Sequence, residues 1–298
     1  MATEFGNGLN GSYIDFKSVA RALTFVENDL PGAEELLKGL QFNTNTLVIG
    51  ITGPPGAGKS TLVNGLIHGL TAKGSKVAVL AIDPTSPFNF GSLLGDRIRM
   101  ATHFTHPDVF IRSLATRGSL GGLSVKTIEM TDVLRAAGFN YIIVETVGVG
   151  QSEVEIAGLA DLTLVVLVPE SGDEIQNIKS GLMEIADVFV VNKADRADAT
   201  LFANNLKKIV HQKESSVAVI STIASQDEGI DELINVVLNS SKHKTDRREL
   251  LLTEKAYRLI QQKRMANVDK QYLKQQISAL MAKKEFNLYN FVDNFGSI

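Results

Sequence analysis

Short apolar runs recur along this chain, separated by segments whose apolar residues fall every three or four positions. The runs are 46–52, 77–82, 141–144, 162–168, 188–191 and 217–221. At four to seven residues each, rich in Val, Ile and Leu, they read as buried strands. Helical spacing fills 122–137, 151–160, 173–186, 198–212 and 230–239. Leu62, Leu66 and Leu70 mark a further helix that stops at Lys73-Gly74, a good C-terminal cap. Gly65 and Gly69 lie inside that helix, and close packing against the sheet is the expected reason. Strands alternating with helices predict an α/β fold with a doubly wound, mostly parallel sheet. Residues 83–119 show little periodicity. A stretch that long predicts a functional loop system holding a short helix.

The ends follow a different pattern. Residues 1–12 are polar and rich in Gly and Asn, a loose tail. Val19, Leu23 and Val26, then Leu36, Leu37 and Leu40, predict two helices divided at Leu30-Pro31-Gly32. Residues 1–43 are therefore a helical N-terminal extension, and 44–240 carry the sheet. Composition shifts after Ser240, where Lys242, His243, Lys244, Arg247 and Arg248 open a long helical region. Leu252, Leu259 and Ile260 share one face, and Leu273, Ile277, Leu280 and Met281 follow a break near Asn267. Residues 241–298 form a C-terminal helical arm. Its basic residues are interleaved with acidic ones and aromatics are few, so a solvated face or an arm gripping a second subunit fits better than nucleic acid.

Composition narrows the choice further. A net charge of −3 and a pI near 6.0 provide no general attraction to nucleic acid or an anionic membrane. No apolar run approaches the roughly 20 residues of a membrane span, and the opening MATEFGNGLNG does not resemble a secretory signal. The absence of Cys removes disulfides, thiolate metal sites and cysteine nucleophiles together. A cytoplasmic protein is expected.

The chemistry centres on TLVIGITGPPGAGKST, residues 46–61. A strand breaks at Gly53-Pro54-Pro55-Gly56-Ala57-Gly58-Lys59-Ser60-Thr61 and passes into a helix. This is the P-loop spacing in the context it requires. Small residues let backbone N–H groups turn inward around phosphate, and the helix N-terminus adds its positive end. Lys59 is placed to reach the β- and γ-phosphates, and the Ser60 hydroxyl to hold Mg²⁺.

The base is read further along. Asn192-Lys193-Ala194-Asp195 ends an apolar strand, the N-K-x-D arrangement of guanine readers. The Asp195 carboxylate accepts from guanine N1–H and its exocyclic amine, whereas adenine would leave a carboxylate unpaired. Asn192 and Lys193 brace the loop and cover the base. Thr222-Ile223-Ala224 is the partner loop, with Ile223 and Ala224 as the source of an N–H for guanine O6. The cofactor set is GTP/GDP with Mg²⁺. Acidic candidates for the metal are Asp83 in AIDP, Asp96 in GDRIRM and Glu145 in YIIVE.

Glu145-Thr146-Val147-Gly148 has the D-x-x-G form with Glu for Asp, so the Gly148 N–H would sense the γ-phosphate. Val149 stands where Ras-type enzymes carry a water-orienting Gln, which predicts slow intrinsic hydrolysis. Gln151 lies two residues on and is a candidate for that task after a rearrangement. Arg97, Arg99, Arg112 and Arg117 are candidates to neutralise transition-state charge. His103 and His106 are close enough in sequence for a metal pair, but without a third ligand nearby they read as ordinary loop histidines.

Several stretches together resemble one family: GPPGAGKST, AVLAIDPTS, LLGDRIRM, GGLSVKTIE, VETVGVGQSE, PESGDEIQNIKSG and VNKAD, with RALTFVEN near the start. They resemble the methylmalonyl-CoA mutase-associated GTPases, including proteins once called lysine/arginine/ornithine transport kinases. The resemblance covers about 18–240 well and the C-terminal helices loosely. It implies a SIMIBI-type GTPase with Asp83, Asp96 and Glu145 as acidic metal-site residues. Residues 169–179 would be an additional switch loop, and the arm a dimerisation element. The implied partner is an adenosylcobalamin-dependent acyl-CoA mutase, for which the GTPase would gate cofactor loading and help eject damaged cofactor. This chain departs from the family pattern at Phe90-Gly91-Ser92, at Arg97-Ile98, at Glu170-Ser171 and in having no Trp. The alternatives are a nickel-enzyme maturation GTPase, a transport-protein kinase or ATPase, and a non-hydrolysing binding module.

Overall fold

The structure is a computed structural model that describes residues 14–42, 45–83, 100–115, 125–146, 155–170, 182–212, 217–240, 245–283 and 286–295. Two helices come first, α1 (Phe16–Glu27) and α2 (Ala33–Lys38). The alternating region follows: β1 (Leu47–Thr52), α3 (Lys59–Ala72), β2 (Val77–Asp83), β3 (Val109–Ala115), α4 (Val125–Ala136), β4 (Tyr141–Glu145) and β5 (Leu162–Leu167). It continues with α5 (Leu182–Ile185), β6 (Val188–Asn192), α6 (Ala199–Gln212), β7 (Ala218–Thr222) and α7 (Ile230–Asn239). The C-terminal helices are α8 (Thr245–Met265), α9 (Lys270–Ala282) and α10 (Leu288–Asn294).

The seven strands form one all-parallel sheet in the order β3-β2-β4-β1-β5-β6-β7. The expected α/β architecture is therefore present, with one correction. The stretch 83–119 contains a strand, β3, and not only loop with a short helix. VFIRSLA pairs with β2 from Val77↔Val109 to Asp83↔Ala115. As an edge strand it carries Arg112 and Ser113 among its apolar residues, which breaks the continuous apolar run of a central strand. The expected short helix is a 3₁₀ turn at Ala101–His103. Of the helix expected at 151–160, the described part opens on helical Glu155 and continues as a 3₁₀ turn, Ile156–Gly158. Of 173–186, the described part is α5.

Each sheet face buries its own core. On one side Val48, Leu80, Val144, Val165 and Phe189 pack with α1 (Val19, Leu23), α4 (Ile128, Val133) and α6 (Phe202, Leu206). On the other, Ile49, Ile51, Val79, Leu164 and Val190 pack with α3 (Leu62, Leu66) and α7 (Leu233, Ile234). Val19, Ala22, Leu23 and Val26 are fully buried, so α1 is built into a core layer rather than laid over it. Asp15 starts this helix by accepting from the N–H groups of Lys17 and Ser18.

The two glycines of α3 serve a contact other than the expected one. A Cβ at Gly65 would meet the Ile230 side chain at 3.2 Å, and one at Gly69 the Ile234 Cδ1 at 2.0 Å. Both neighbours lie on α7. Missing side chains let two helices on the same face approach each other, not α3 approach the sheet.

The chain divides into two compact units, residues 1–252 and 253–298. The division falls within α8, whereas the composition shift near 241 falls between α7 and α8. Among the described residues no helix is long and apolar enough to cross a membrane.

Candidate nucleotide site

β1 is central, and its neighbours β4 and β5 come from opposite directions of winding. A crevice at the carboxyl end of such a strand is where open α/β sheets bind ligands. The Gly-rich loop leaves β1 at that point. Gly53 has φ +138°, and a Cβ there would sit 2.0 Å from the Val166 carbonyl oxygen on β5. Gly58 has φ +85°, and its Cβ would lie 2.3 Å from Asn192 Nδ2. Neither place admits a side chain. Ala57 is buried beneath the loop, while Pro55 and Gly56 are exposed at its tip.

α3 starts immediately after Gly58, so its first N–H groups and its positive end face the loop. Lys59 and Ser60 in the first turn are buried, and Thr61 is exposed. Lys59 Nζ donates to the Gly53 carbonyl at 2.7 Å and to that of Pro54 at 3.0 Å. The ammonium is thus held against the loop's own backbone, where an anion within the loop would meet it. Ser60 Oγ donates to Glu145 Oε1 at 2.7 Å in a buried contact. Register explains the meeting, because β1 and β4 pair with Ile51 opposite Glu145. Ser60 keeps its oxygen lone pairs while its proton is directed to the carboxylate.

Asp83 closes β2 at the same edge, two residues beyond Ala81, which pairs with Glu145. Asp96, Gly148, Gln151, Arg97, Arg99 and Arg117 lie outside the described residues, as does the 171–179 part of the additional switch loop. Arg112 is described and takes no place at the site. Its guanidinium pairs with Glu27 of α1 at 2.5 Å, which corrects its candidacy as a transition-state cation.

The base-reading loop is tied to the phosphate loop through Asn192. This amide is buried; it donates to the Ala57 carbonyl at 2.8 Å and accepts from Thr222 Oγ1 and the Ala224 N–H, both at 3.1 Å. Lys193, held at φ +58°, donates to the Gly56 carbonyl at 2.7 Å. Its stem thereby spans from one loop to the other. Asp195 is exposed just beyond. The Ile223 N–H donates to the Glu228 carbonyl at 3.0 Å. Both N–H groups expected to face guanine O6 are thus engaged within the protein, since the Ala224 N–H is held by Asn192.

Sequence reasoning missed one contact here. Arg196, directly after the reader, forms an ion pair with Glu170 beyond β5. The guanidinium beside Glu170 holds its carboxyl below the usual range, with smaller help from its own backbone and from Lys193. The signal in the sequence was Glu170 itself, a charge where the resembling family has small residues.

The histidines gather without making a metal centre. Burial lowers the His103 pKa, and His106 and His68 of α3 lower it further. His106 Nδ1 accepts from the Asp108 N–H at 3.2 Å. Among the described residues no group of three His, Asp or Glu could hold a metal ion. The oxygens of Ser60 and Glu145 do fit a small hard cation of the Mg²⁺ kind, which takes few protein ligands and completes its shell with phosphate and water.

Comparison with known proteins agrees with this geometry. The family model described as "Methylmalonyl Co-A mutase-associated GTPase MeaB" matches residues 19–283. A putative GTPase of Pyrococcus horikoshii is 45% identical over 288 residues, covering 94% of this chain and 87% of that one. A Caenorhabditis elegans protein described as "Methylmalonic aciduria type A homolog, mitochondrial" is 40% identical over 194 residues, covering 60% of this chain and 49% of its own. Among solved structures, a LAO/AO transport system kinase superposes with a TM-score of 0.66 at 26% identity, covering 99% of this chain and 96% of that one. The hydrogenase maturation factor HypB of Archaeoglobus fulgidus reaches a TM-score of 0.51 at 16% identity, covering 74% of this chain and 98% of its own. That last likeness concerns the fold alone.

Proposed function

Since this chain belongs to the methylmalonyl-CoA mutase-associated GTPase family, we propose that it is the GTP-driven chaperone of an adenosylcobalamin-dependent acyl-CoA mutase. It is a GTPase, converting GTP and water to GDP and phosphate. The further step, from GTPase to mutase chaperone, is carried by the family match, which spans residues 19–283 rather than the nucleotide motifs alone.

In this reading Gly53, Pro55, Gly56, Ala57, Gly58 and Thr61 surround the phosphates, and Lys59 neutralises charge on the β- and γ-groups. Ser60 holds Mg²⁺ directly, with Glu145, Asp83 and Asp96 supporting it. When bound, Mg²⁺ supplies electrostatic stabilisation of the triphosphate during phosphoryl transfer. Asn192 and Lys193 fix the base loop, Asp195 reads guanine, and Ile223 and Ala224 border its carbonyl. Gly148 senses the γ-phosphate. Gln151 orients water only after a rearrangement, so hydrolysis is slow until a partner completes the site. Gating of cofactor loading and release of damaged cofactor follow the nucleotide state. The protein works in the cytoplasm.

A homodimer belongs to the same reading. Tyr257, Ile260 and Met265 of α8, and Tyr272 and Met281 of α9, are exposed apolar side chains, more than a solvated helix needs. Nickel maturation has less support, because the described residues offer no three-ligand metal group. The decisive experiment is a pull-down with the full chain loaded with GDP or with a non-hydrolysable GTP analogue. A cobalamin enzyme should co-purify in a nucleotide-dependent manner; its absence from both preparations would remove the chaperone reading while leaving the GTPase intact.

A further inference from the structure

The base-reading loop is built on one turn that is anchored at both ends. Lys193 and Arg196 bracket Ala194 and Asp195, and the Arg196 N–H donates to the Lys193 carbonyl at 3.1 Å. Where the turn opens, Lys193 Nζ reaches the Gly56 carbonyl, and the Ala194 N–H donates to the Thr222 carbonyl at 3.0 Å. Where it closes, the Arg196 guanidinium pairs with Glu170. Strand register explains that meeting. β5 and β6 run parallel as far as Leu167↔Val191, so Glu170 and the turn leave the sheet side by side. Arg196 first, then its own backbone and Lys193, favour the charged form of the Glu170 carboxyl.

Asp195 stands third in this four-residue turn. It is exposed, and its carboxylate has no hydrogen bond or ion pair among the described residues. Its direction is therefore set by the backbone that carries it, not by a neighbouring side chain. We propose that Glu170 and Arg196 are positioning residues for base recognition: their ion pair holds the far end of the turn and so aims the Asp195 carboxylate at the N1–H and amine edge of guanine. They act through Asp195 rather than on the nucleotide. The inference rests on the guanine-reading role proposed above for Asp195. Without the pair, the Lys193 end stays tied to the phosphate loop while the Arg196 end is released. The carboxylate then samples directions that make one of its two hydrogen bonds and lose the other. The side chains of Arg196 and Glu170 are 45% and 51% exposed, so the effect is modest and screened by salt.

The test uses the full chain with Arg196→Ala, Arg196→Lys, Glu170→Ala, Asp195→Ala and the double variant Asp195→Ala with Arg196→Ala. Affinity for GDP is measured by calorimetry at low salt and at about 1 M salt. Arg196→Ala and Glu170→Ala should each weaken GDP by about threefold at low salt, the scale of an exposed ion pair, and by less at high salt. Arg196→Lys keeps a cation opposite Glu170 and should retain most of the affinity. In the Asp195→Ala background, Arg196→Ala should cost nothing further, because a residue that acts through Asp195 has nothing left to aim. Additive losses in the double variant would place the action of Arg196 elsewhere and overturn the proposal. Unchanged GDP affinity in both Arg196→Ala and Glu170→Ala would do the same. Asp195→Ala alone separates the underlying reading: if it leaves GDP affinity intact, the guanine role fails first, whatever the Glu170 and Arg196 variants do.

Discussion

In the proposed reading single residues carry the nucleotide, and each assignment can be tested by one substitution. Lys59 holds its ammonium against the Gly53 and Pro54 carbonyls, where it can turn to a phosphate without a large movement. Lys59→Ala should reduce multiple-turnover phosphate release by at least about a hundredfold, the scale of removing one preorganised charge from a transition state. The duty proposed for Asp195 is different, to distinguish bases and not phosphates. Asp195→Ala should weaken GDP by about tenfold or more and leave ADP unaffected, as measured by calorimetry, since a charge-assisted hydrogen bond contributes about 1.5–3 kcal/mol. Equal losses for the two purine nucleotides would remove the guanine assignment. Both assignments come from motif spacing, since a phosphate loop needs a fixed order of small residues and a cation and a base reader sits at a strand's end. Arg112 was misjudged for the opposite reason. Nothing local distinguishes an arginine that faces a phosphate from one that faces Glu27, eighty-five positions away.

Elements were legible wherever burial is two-sided. β1, β4, β5 and β6 are continuous apolar runs because helices cover both faces of the sheet. β3 was missed because an edge strand tolerates Arg and Ser. Gly69 illustrates what periodicity leaves open. The sequence shows that α3 has a gap, but only packing shows that Ile234 of α7 fills it. Gly69→Ala adds helix propensity of about 1 kcal/mol and forces a buried Ile234 to move, an overpacking cost of about 1–3 kcal/mol. The net expectation is a loss of stability in denaturant unfolding. Ile234→Val removes the atom nearest the new Cβ, so the double variant should be more stable than the sum of the singles by about 1 kcal/mol. Strict additivity would show that α3 and α7 adjust independently.

At the scale of the whole molecule, the N-terminal end of the chain is less separable than its composition suggests. α1 contributes Val19, Leu23 and Val26 to the core it shares with α4, and its Glu27 holds Arg112 of β3. Stability should also respond to pH through His103. Burial first, then His106 and His68, keep its folded-state pKa below 6.5. The folded chain therefore binds fewer protons than the unfolded one as pH falls below 6.5, and stability rises with pH across that window. It is full above 6.5 and declines as pH drops toward and through the folded-state value. Melting midpoints at about pH 7.5 and about pH 5.5 should differ accordingly, and His103→Gln should narrow the gap. A gap unchanged by that variant would place the pH dependence on other groups.

By itself the sequence determined the α/β class, the phosphate and guanine motifs and the family, because these rest on local order: a strand, a turn of small residues, a helix, and a reader at a strand's end. Only the tertiary structure decided that Ser60 meets Glu145 and that Asn192 ties the base loop to Ala57. Each of these contacts joins residues thirty or more positions apart. Their meeting depends on which strands become neighbours, and strand order is set by how the helices cover the sheet, a property of the assembled layers and of no single segment.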